Sequence, residues 1–418
     1  MLYLYLDIVY NGLKEINLKC TLMSFFPNLF GNKKKDKTVI GVDIGSSAIK
    51  IVQLSKKKGR AVLDTYGAIS LGSYAGEEIG KATNLSQGKL IVALTDILKE
   101  AKTTTPNVGM AISFNSSLMT IIELPSASEV HLKEIIPIEA KKYVPVPLSE
   151  VSLDWSVLPS TSSTARDTPD LKDKEEGRTA VVPASKAQLN PTQSKRSEIL
   201  KERTKSEIIQ VLIVAIHNDI IKKFEEIVSG ASLIADFFEI EIFSTLRSVL
   251  EQDQDSALIM DVGAASTKLY VVEGGNVLNS HTINRGSQDI TASVSRALGI
   301  SAKEAEILKR TEGLNPKKNA DLYNAIFITL DYVFSETVKI LQNYKEKNNK
   351  VLKQVILVGG GASMKGFAEA ATVNLGIEAV PGNSFSKVDA PAFVLEILKN
   401  NGPEFAVAVG AALRGLED

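Results

Sequence analysis

From residue 38 onward the apolar positions fall first into short β-branched runs and only later into helical spacing. Residues 39–44, 48–54 and 60–70 read as three strands, with a Gly-Ser-Ser turn after the first and Lys56-Lys-Lys-Gly59 after the second. Residues 89–102 carry Leu90, Ile91, Leu94, Ile97, Leu98 and Ala101 on one face of a predicted helix, ahead of the breaker Pro106. Another strand follows at residues 108–114. Three strands, a helix and a strand open a mixed α/β layer domain.

Residues 115–216 break that alternation and predict a small inserted subdomain. A strand at 118–124 stops at Pro125, and residues 128–142 have helical spacing behind the candidate N-cap Ser128. Pro137 is expected to end or kink that helix. Tyr143-Val-Pro-Val-Pro147 is expected to be extended, because each proline restricts the residue before it. A strand at 151–158 carries the single tryptophan, Trp155. Residues 159–206 are rich in Ser, Thr, Lys, Asp and Glu and contain no aromatic, so burial would not offset their ordering entropy. A disordered loop is expected there, with a short charged helix possible at 197–205. Strand 208–216 closes the insertion. A helix at 219–229 follows, with Asp219 near its start and Gly230 as its stop. Residues 238–250 read as strand then helix, and the polar stretch 251–256 marks a boundary.

The second half repeats the order of the first. Strands at 257–262, 267–272 and 277–283 precede helices at 289–298, 303–310 and 321–345. A buried strand at 355–358 ends in Gly359, Gly360 and Gly361 before a helix at 364–375, and a small-residue helix at 404–413 closes the chain. The repetition is specific: Asp261 answers Asp43, Gly263 answers Gly45 and Lys268 answers Lys50. This predicts a duplicated domain with one phosphate-binding hairpin per half, facing each other across a cleft. The expected division is residues 38–114, 217–255 and 404–418 for one domain, 256–403 for the other, and 115–216 inserted.

The chemistry of such a hairpin follows from its residue types. A turn of small residues lets backbone N–H groups approach phosphate oxygens. An Asp can hold a hydrated Mg²⁺, and a Lys supplies a point charge for a phosphate.

Composition narrows the function classes. The 418 residues suffice for two or more cores, and a net charge of −1 argues against a nucleic-acid binder. Cys20 is the only cysteine, which rules out a disulfide within the chain and fits a reducing, cytoplasmic setting. His131, His217 and His281 are scattered without metal-ligand spacing. No apolar run reaches the roughly 18 residues that a membrane-crossing helix needs. Residues 1–10 are apolar but lack a basic start and are interrupted by Asp7 and Asn11, a poor signal peptide. For the leader 1–37 two readings stand. One is a membrane-surface or partner-binding segment aided by Lys33, Lys34 and Lys35. The favoured one is a poorly ordered stretch in which translation starts at Met23.

Two Asp-x-Gly hairpins half a chain apart, followed by a strand ending in three glycines, resemble the actin-like (ribonuclease H-like) ATPase superfamily of actin, Hsp70 chaperones, sugar kinases and FtsA. The resemblance implies two related domains closing over ATP. It implies that Asp43, Gly45, Ser46, Ser47 and Lys50 form the first phosphate loop, and Asp261, Gly263, Ala264, Ala265 and Lys268 the second. Asp43 and Asp261 would hold Mg²⁺ through water, and Gly359, Gly360 and Gly361 would seat the adenosine. Glu241 matches an acid that orients water in the family; the alternative is a solvated carboxylate at a helix end. Glu306 and Lys309, in Ala305-Glu-Ile-Leu-Lys309, match a helix that packs on the adenosine; otherwise they are an exposed i, i+3 pair.

Ile121-Ile-Glu-Leu-Pro125, Ile138-Glu-Ala-Lys-Lys-Tyr-Val-Pro-Val-Pro147 and Ser149-Glu-Val-Ser-Leu-Asp-Trp155 further resemble the PilM family of type IV pilus assembly. Arg285-Gly-Ser-Gln-Asp-Ile-Thr291 fits both PilM and FtsA, although Ser287 replaces a commonly expected glycine, so that turn is expected to differ. The resemblance spans residues 38–416 apart from 159–206. It implies a cytoplasmic, ATP-binding scaffold at the inner face of the bacterial inner membrane, at most a slow ATPase, with an FtsA-like inserted subdomain. Its expected partners are the pilus assembly platform and the cytoplasmic N-terminal tail of a PilN-like inner-membrane protein, received near residues 143–148. Membrane association would be peripheral, through those partners. Two alternatives remain. An FtsA-like division protein would continue into an amphipathic membrane helix, whereas this sequence stops after its closing helix. A small-molecule kinase would need a general base, and no acid is marked as one.

Overall fold

Each half of the chain builds the same five-stranded sheet. The first has β1 (Thr38–Ile44), β2 (Ala48–Lys57), β3 (Arg60–Ser70), β4 (Asn107–Ile112) and β8 (Ile234–Ile240) in the order β3-β2-β1-β4-β8. The second has β9 (Ser256–Val262), β10 (Thr267–Glu273), β11 (Asn276–Ile283), β12 (Val355–Val358) and β13 (Ala379–Pro381) in the order β11-β10-β9-β12-β13. In both, three antiparallel strands are extended by two parallel ones. Parallel pairing requires a crossover, and helices supply it. The central strands β1, β9 and β12 are covered on both faces, which is why they read as unbroken apolar runs.

The computed structural model describes residues 37–78, 80–158, 208–251, 254 and 256–417. The readings for residues 1–36 and for 159–206, with the helix at 197–205 and the start at Met23, lie outside the described residues. Among the described residues no helix is long and apolar enough to cross a membrane.

The helices are α1 (Gly72–Ala75), α2 (Gln87–Glu100), α3 (Glu129–Ala140), α4 (Asn218–Gly230), α5 (Glu241–Val249), α6 (Ser287–Leu298), α7 (Ala302–Thr311), α8 (Ala320–Asn348), α9 (Phe367–Leu375), α10 (Leu395–Asn401) and α11 (Ala406–Leu416). Three sequence expectations are corrected. Helix α3 runs on through Pro137, because Leu132, Ile136 and Ala140 form a buried stripe on either side of it. Tyr143 is not extended: its N–H bonds to the Ala140 carbonyl at 3.0 Å, and the proline restriction falls on Val144 and Val146 instead. Helix α4 includes Gly230, and the left-handed residue that turns the chain is Ser232, at φ 57°.

The described residues divide into two compact units. One contains both five-stranded sheets. Among the described residues the other takes 119–145, 155–158 and 208–214, with α3 and parts of the sheet whose spatial order is β5 (Ser117–Pro125), β7 (Ile208–His217), β6 (Val151–Val157). Within the first unit, the chain returns to the first sheet earlier than residue 404. Phe385, Val388 and Leu398 share a core with Val39, Val52, Leu54 and Ala408. Asp389 also exchanges backbone hydrogen bonds with Ala61 and Leu63 at 2.8 and 2.9 Å. Tyr66 fixes this return by meeting Phe385 and Phe405 edge-on.

Glu239, at the end of β8, is fully enclosed. Arg247 donates to both of its oxygens, at 2.8 and 3.2 Å, Arg414 to one of them at 2.8 Å, and the Ser244 hydroxyl adds a fourth bond. Burial pushes this carboxyl up, but the two guanidiniums more than offset it and hold the group below the usual carboxylate range. The ion triad pins α5 and α11 to the first sheet.

Candidate functional site

The seven-residue spacing from Asp to Lys acquires its meaning in the register. Asp43 stands directly across from Lys50, and Asp261 directly across from Lys268. Each turn between them is closed by its glycine: Gly45 N–H donates to Ala48 O and Gly263 N–H to Ser266 O, both at 3.0 Å. Cross-strand partners project on one face, so each ammonium stands 3.7 Å from its carboxylate.

Both hairpins line one cleft of about 740 Å³. Asp43, Gly45, Ser46, Ser47 and Lys50 contribute from the first and Asp261, Gly263, Ala264, Ala265 and Lys268 from the second. Glu241, Glu306, Lys309, Gly359, Gly360 and Gly361 line the same space. The structure therefore brings every candidate residue together, from positions as far apart in sequence as 43 and 361.

Its floor is charged and mostly buried. Burial pushes the Asp43 carboxyl up to about 6 against the pull of Lys50. Asp261 is raised in the same way, by burial and then by Glu241, against Lys268. Burial pulls Lys268 down, but the carboxylates of Glu241 and Asp261 more than offset it and hold the ammonium above its usual range.

Glu241 is not a solvated helix-end carboxylate. It is buried at the first position of α5, and its Oε1 accepts from Lys268 Nζ at 2.5 Å, Phe114 N–H at 2.6 Å and the Ser113 hydroxyl at 3.3 Å. Glu306 and Lys309 are likewise not an exposed pair. Both are buried and 2.6 Å apart; Thr291 donates to Glu306 at 2.6 Å and accepts from Lys309 at 2.8 Å. Burial raises the Glu306 carboxyl, but Lys309, Thr291 and Arg310 outweigh it and leave the group below its usual range.

The three glycines divide their duties. Gly359 has φ 85°, and a Cβ there would lie 2.4 Å from Asp261 Oδ1; one on Gly361 would lie 2.4 Å from Val262 Cγ1. These two let β12 turn tightly over the end of β9. A Cβ on Gly360 would meet nothing closer than 3.7 Å, so only there does the missing side chain leave room for a ligand. The turn before α6 is similar: a Cβ on Gly286 would sit 2.3 Å from Ala264 O, whereas Ser287 donates its N–H to Gly263 O at 2.9 Å. The close approach is at Gly286, and serine at 287 is accommodated.

Two contributors were missed by sequence reasoning. Residues 80–85 bridge the cleft, with Thr83 N–H on Ser46 O at 2.8 Å and Ala82 N–H on Gln288 Oε1 at 3.0 Å. The turn at residues 113–116 supplies two of the donors to Glu241, Phe114 N–H and the Ser113 hydroxyl. The contacts that join them to distant parts of the cleft, Ala82 to Gln288 and Phe114 to Glu241, span more than a hundred residues, so no local signal marks them.

Among the described residues no three His, Cys, Asp or Glu side chains converge to ligate a metal directly. Asp43 and Asp261 nevertheless fit a cation held through water. Each is a buried carboxylate whose lysine stands at 3.7 Å, beyond a hydrogen bond, and each is raised for want of compensation.

This doubled sheet with a hairpin-lined cleft is the actin-like ATPase fold. The sequence pattern of the family described as "Type IV pilus assembly protein PilM" matches residues 41–191 and 197–416. The chain belongs to that family. Among solved structures, it is similar to the PilM–PilN type IV pilus biogenesis complex, with 25% identity and TM-score 0.69, over 91% of this chain and 99% of that one. Ethanolamine utilization protein EutJ from Carboxydothermus hydrogenoformans aligns over 90% of this chain and 89% of its own, with 13% identity and TM-score 0.48. MreB 5 of Spiroplasma citri bound to AMPPNP aligns over 90% and 95%, with 11% identity and TM-score 0.45.

Proposed function

We propose that the cleft binds ATP with Mg²⁺, and that the nucleotide sets the shape in which this chain docks the cytoplasmic tail of a PilN-like inner-membrane protein during type IV pilus assembly. One observation carries the nucleotide reading: two Asp-x-Gly hairpins and a glycine turn converge on one cleft, where both carboxylates are short of positive charge. In this reading the turn amides and Lys50 meet the phosphates, and Gly360 leaves space for the adenosine. Asp43 and Asp261 orient the waters around Mg²⁺, which when bound neutralises phosphate charge.

The partner reading rests on family membership and on the likeness to the PilM–PilN complex over nearly the full length of both chains. The second unit offers apolar surface for a tail: Val130 and Ile138 on α3 are 68% and 62% exposed, and Tyr143 is 46% exposed. Docking of this kind brings the protein to the inner face of the membrane through its partner.

The test is calorimetry of Mg²⁺·ATP with the full chain and with Asp43→Asn. The variant is expected to bind on the order of tenfold more weakly, about 1.4 kcal/mol. Unchanged affinity would remove Asp43 from the site, and absence of binding to the parent would remove the nucleotide reading.

A further inference from the structure

Glu241 joins the cleft to the start of the inserted region. A single oxygen, Oε1, takes Lys268 from the second hairpin and both Phe114 N–H and Ser113 Oγ from residues 113–116. The same turn is docked on the second sheet: the Phe114 ring meets Tyr270 edge-on at 5.6 Å, and Asn115 lies 3.4 Å from the Thr282 hydroxyl. Residue 116 then leads without a break into β5, the first strand of the insertion.

Lys268 is therefore claimed twice. It is the closest cation to Glu241, and its side chain also lines the cleft beside the second turn, where a phosphate would compete for the same ammonium. The junction has an unused polar group as well: among the described residues the buried Tyr270 hydroxyl has no hydrogen-bond partner. A shared oxygen, a cation with two claims and an unpaired hydroxyl are the parts of an element with two arrangements.

We propose, on the reading that the cleft takes ATP, that Glu241 is a positioning residue that reports phosphate occupancy to residues 113–116. Without phosphate, Lys268 neutralises Oε1. With phosphate, Lys268 is drawn toward the ligand, and the freed carboxylate holds the Phe114 N–H and Ser113 hydroxyl more strongly, since a charged acceptor binds more tightly than a neutralised one. The start of β5 is thereby stiffened when the cleft is filled.

Hydrogen–deuterium exchange on the full chain tests this, because it reads protection amide by amide. Saturating Mg²⁺·ATP is expected to slow exchange across residues 113–125. Glu241→Gln, at nucleotide concentrations that saturate that variant, is expected to lose the change. The wild-type chain gives a second arm that needs no mutation: Mg²⁺·tripolyphosphate should elicit the response and adenosine alone should not. A response that persists in Glu241→Gln, or one that adenosine elicits equally, overturns the proposal. ATP binding by calorimetry with no change at 113–125 overturns it while leaving the nucleotide reading intact; no ATP binding at all ends both.

Discussion

The two hairpins share spacing, register and burial, yet they are set differently. Lys268 is seated on Glu241 at 2.5 Å, whereas the nearest acid to Lys50 is Asp43 at 3.7 Å. The carbonyls of the second turn are taken by the first amides of a helix, with Ser287 on Gly263 O and Gln288 on Ala264 O. Those of the first turn are taken by loop residues, Leu71 on Ser47 O and Thr83 on Ser46 O. Asp261 lies beneath the turn at Gly359, where a Cβ would stand 2.4 Å from its Oδ1. The two halves carry similar hairpins. The second is tied by its lysine to α5, whereas the lysine of the first stands 3.7 Å from the aspartate across from it.

The comparison is broken most directly at the lysines. Lys268→Met strips a buried carboxylate cluster of its closest counter-charge, and losing one partner of a buried pair costs about 3–5 kcal/mol. Lys50→Met should cost only about 1 kcal/mol, because Asp43 already titrates near 6 and escapes its loss by taking up a proton. Urea unfolding of the two variants measures the difference through their midpoints. Equal losses would mean that the hairpins are energetically alike, whatever their neighbours.

Much of this was legible in the sequence, and the boundary of legibility is physical. The Asp-x-Gly repeat was readable because a cross-strand pair across a four-residue turn fixes both residue types and their spacing locally. So were β1, β9 and β12, as apolar runs buried on both faces. Burial at Glu241 and Glu306 was not readable. An acid at a helix start, or three residues from a lysine, looks the same whether it faces water or an ion pair. The return of the chain at Phe385 was also hidden. β13 and α10 are three and seven residues long, too short to show a period. The inserted unit was marked by its prolines, yet the proline rule misled at Pro137, where tertiary burial of Ile136 and Ala140 overrode it.

A second way to sharpen the comparison uses pH. The folded chain holds the Asp43 proton up to about pH 6, whereas an unfolded aspartate releases it near 4. This group's stabilisation is therefore complete below about pH 4 and is lost as pH rises through 6. The gap of about two units amounts to about 2–3 kcal/mol. Asp43→Asn removes the ionisation, so the ligand-free variant is expected to be about 2 kcal/mol more stable than the parent at pH 7.5 and to show a flatter profile between pH 4 and 6. Thermal melts across that range measure it. A variant no more stable than its parent at pH 7.5 would show that the carboxylate is not strained by burial and would remove the argument that it awaits a cation.

The smallest effect separates the turns themselves. Neither Gly45 nor Gly263 has positive φ, so alanine is allowed at both and narrows the unfolded ensemble by a stabilising ~0.4–1 kcal/mol. Against this, a Cβ at Gly45 would stand 3.2 Å from Ala48 O and one at Gly263 3.0 Å from Ser266 O. The first turn is anchored to loops and can yield by a few tenths of an ångström, so Gly45→Ala is expected to be neutral within about 0.5 kcal/mol. The second turn is held by the start of α6 and by Lys268, so its contact is not relieved, and Gly263→Ala is expected to cost about 1 kcal/mol, at the lower end of overpacking. Denaturant midpoints at matched pH resolve the two. If Gly263→Ala is as neutral as Gly45→Ala, the second turn is no stiffer than the first, and the asymmetry between the hairpins resides in Lys268 and Glu241 alone.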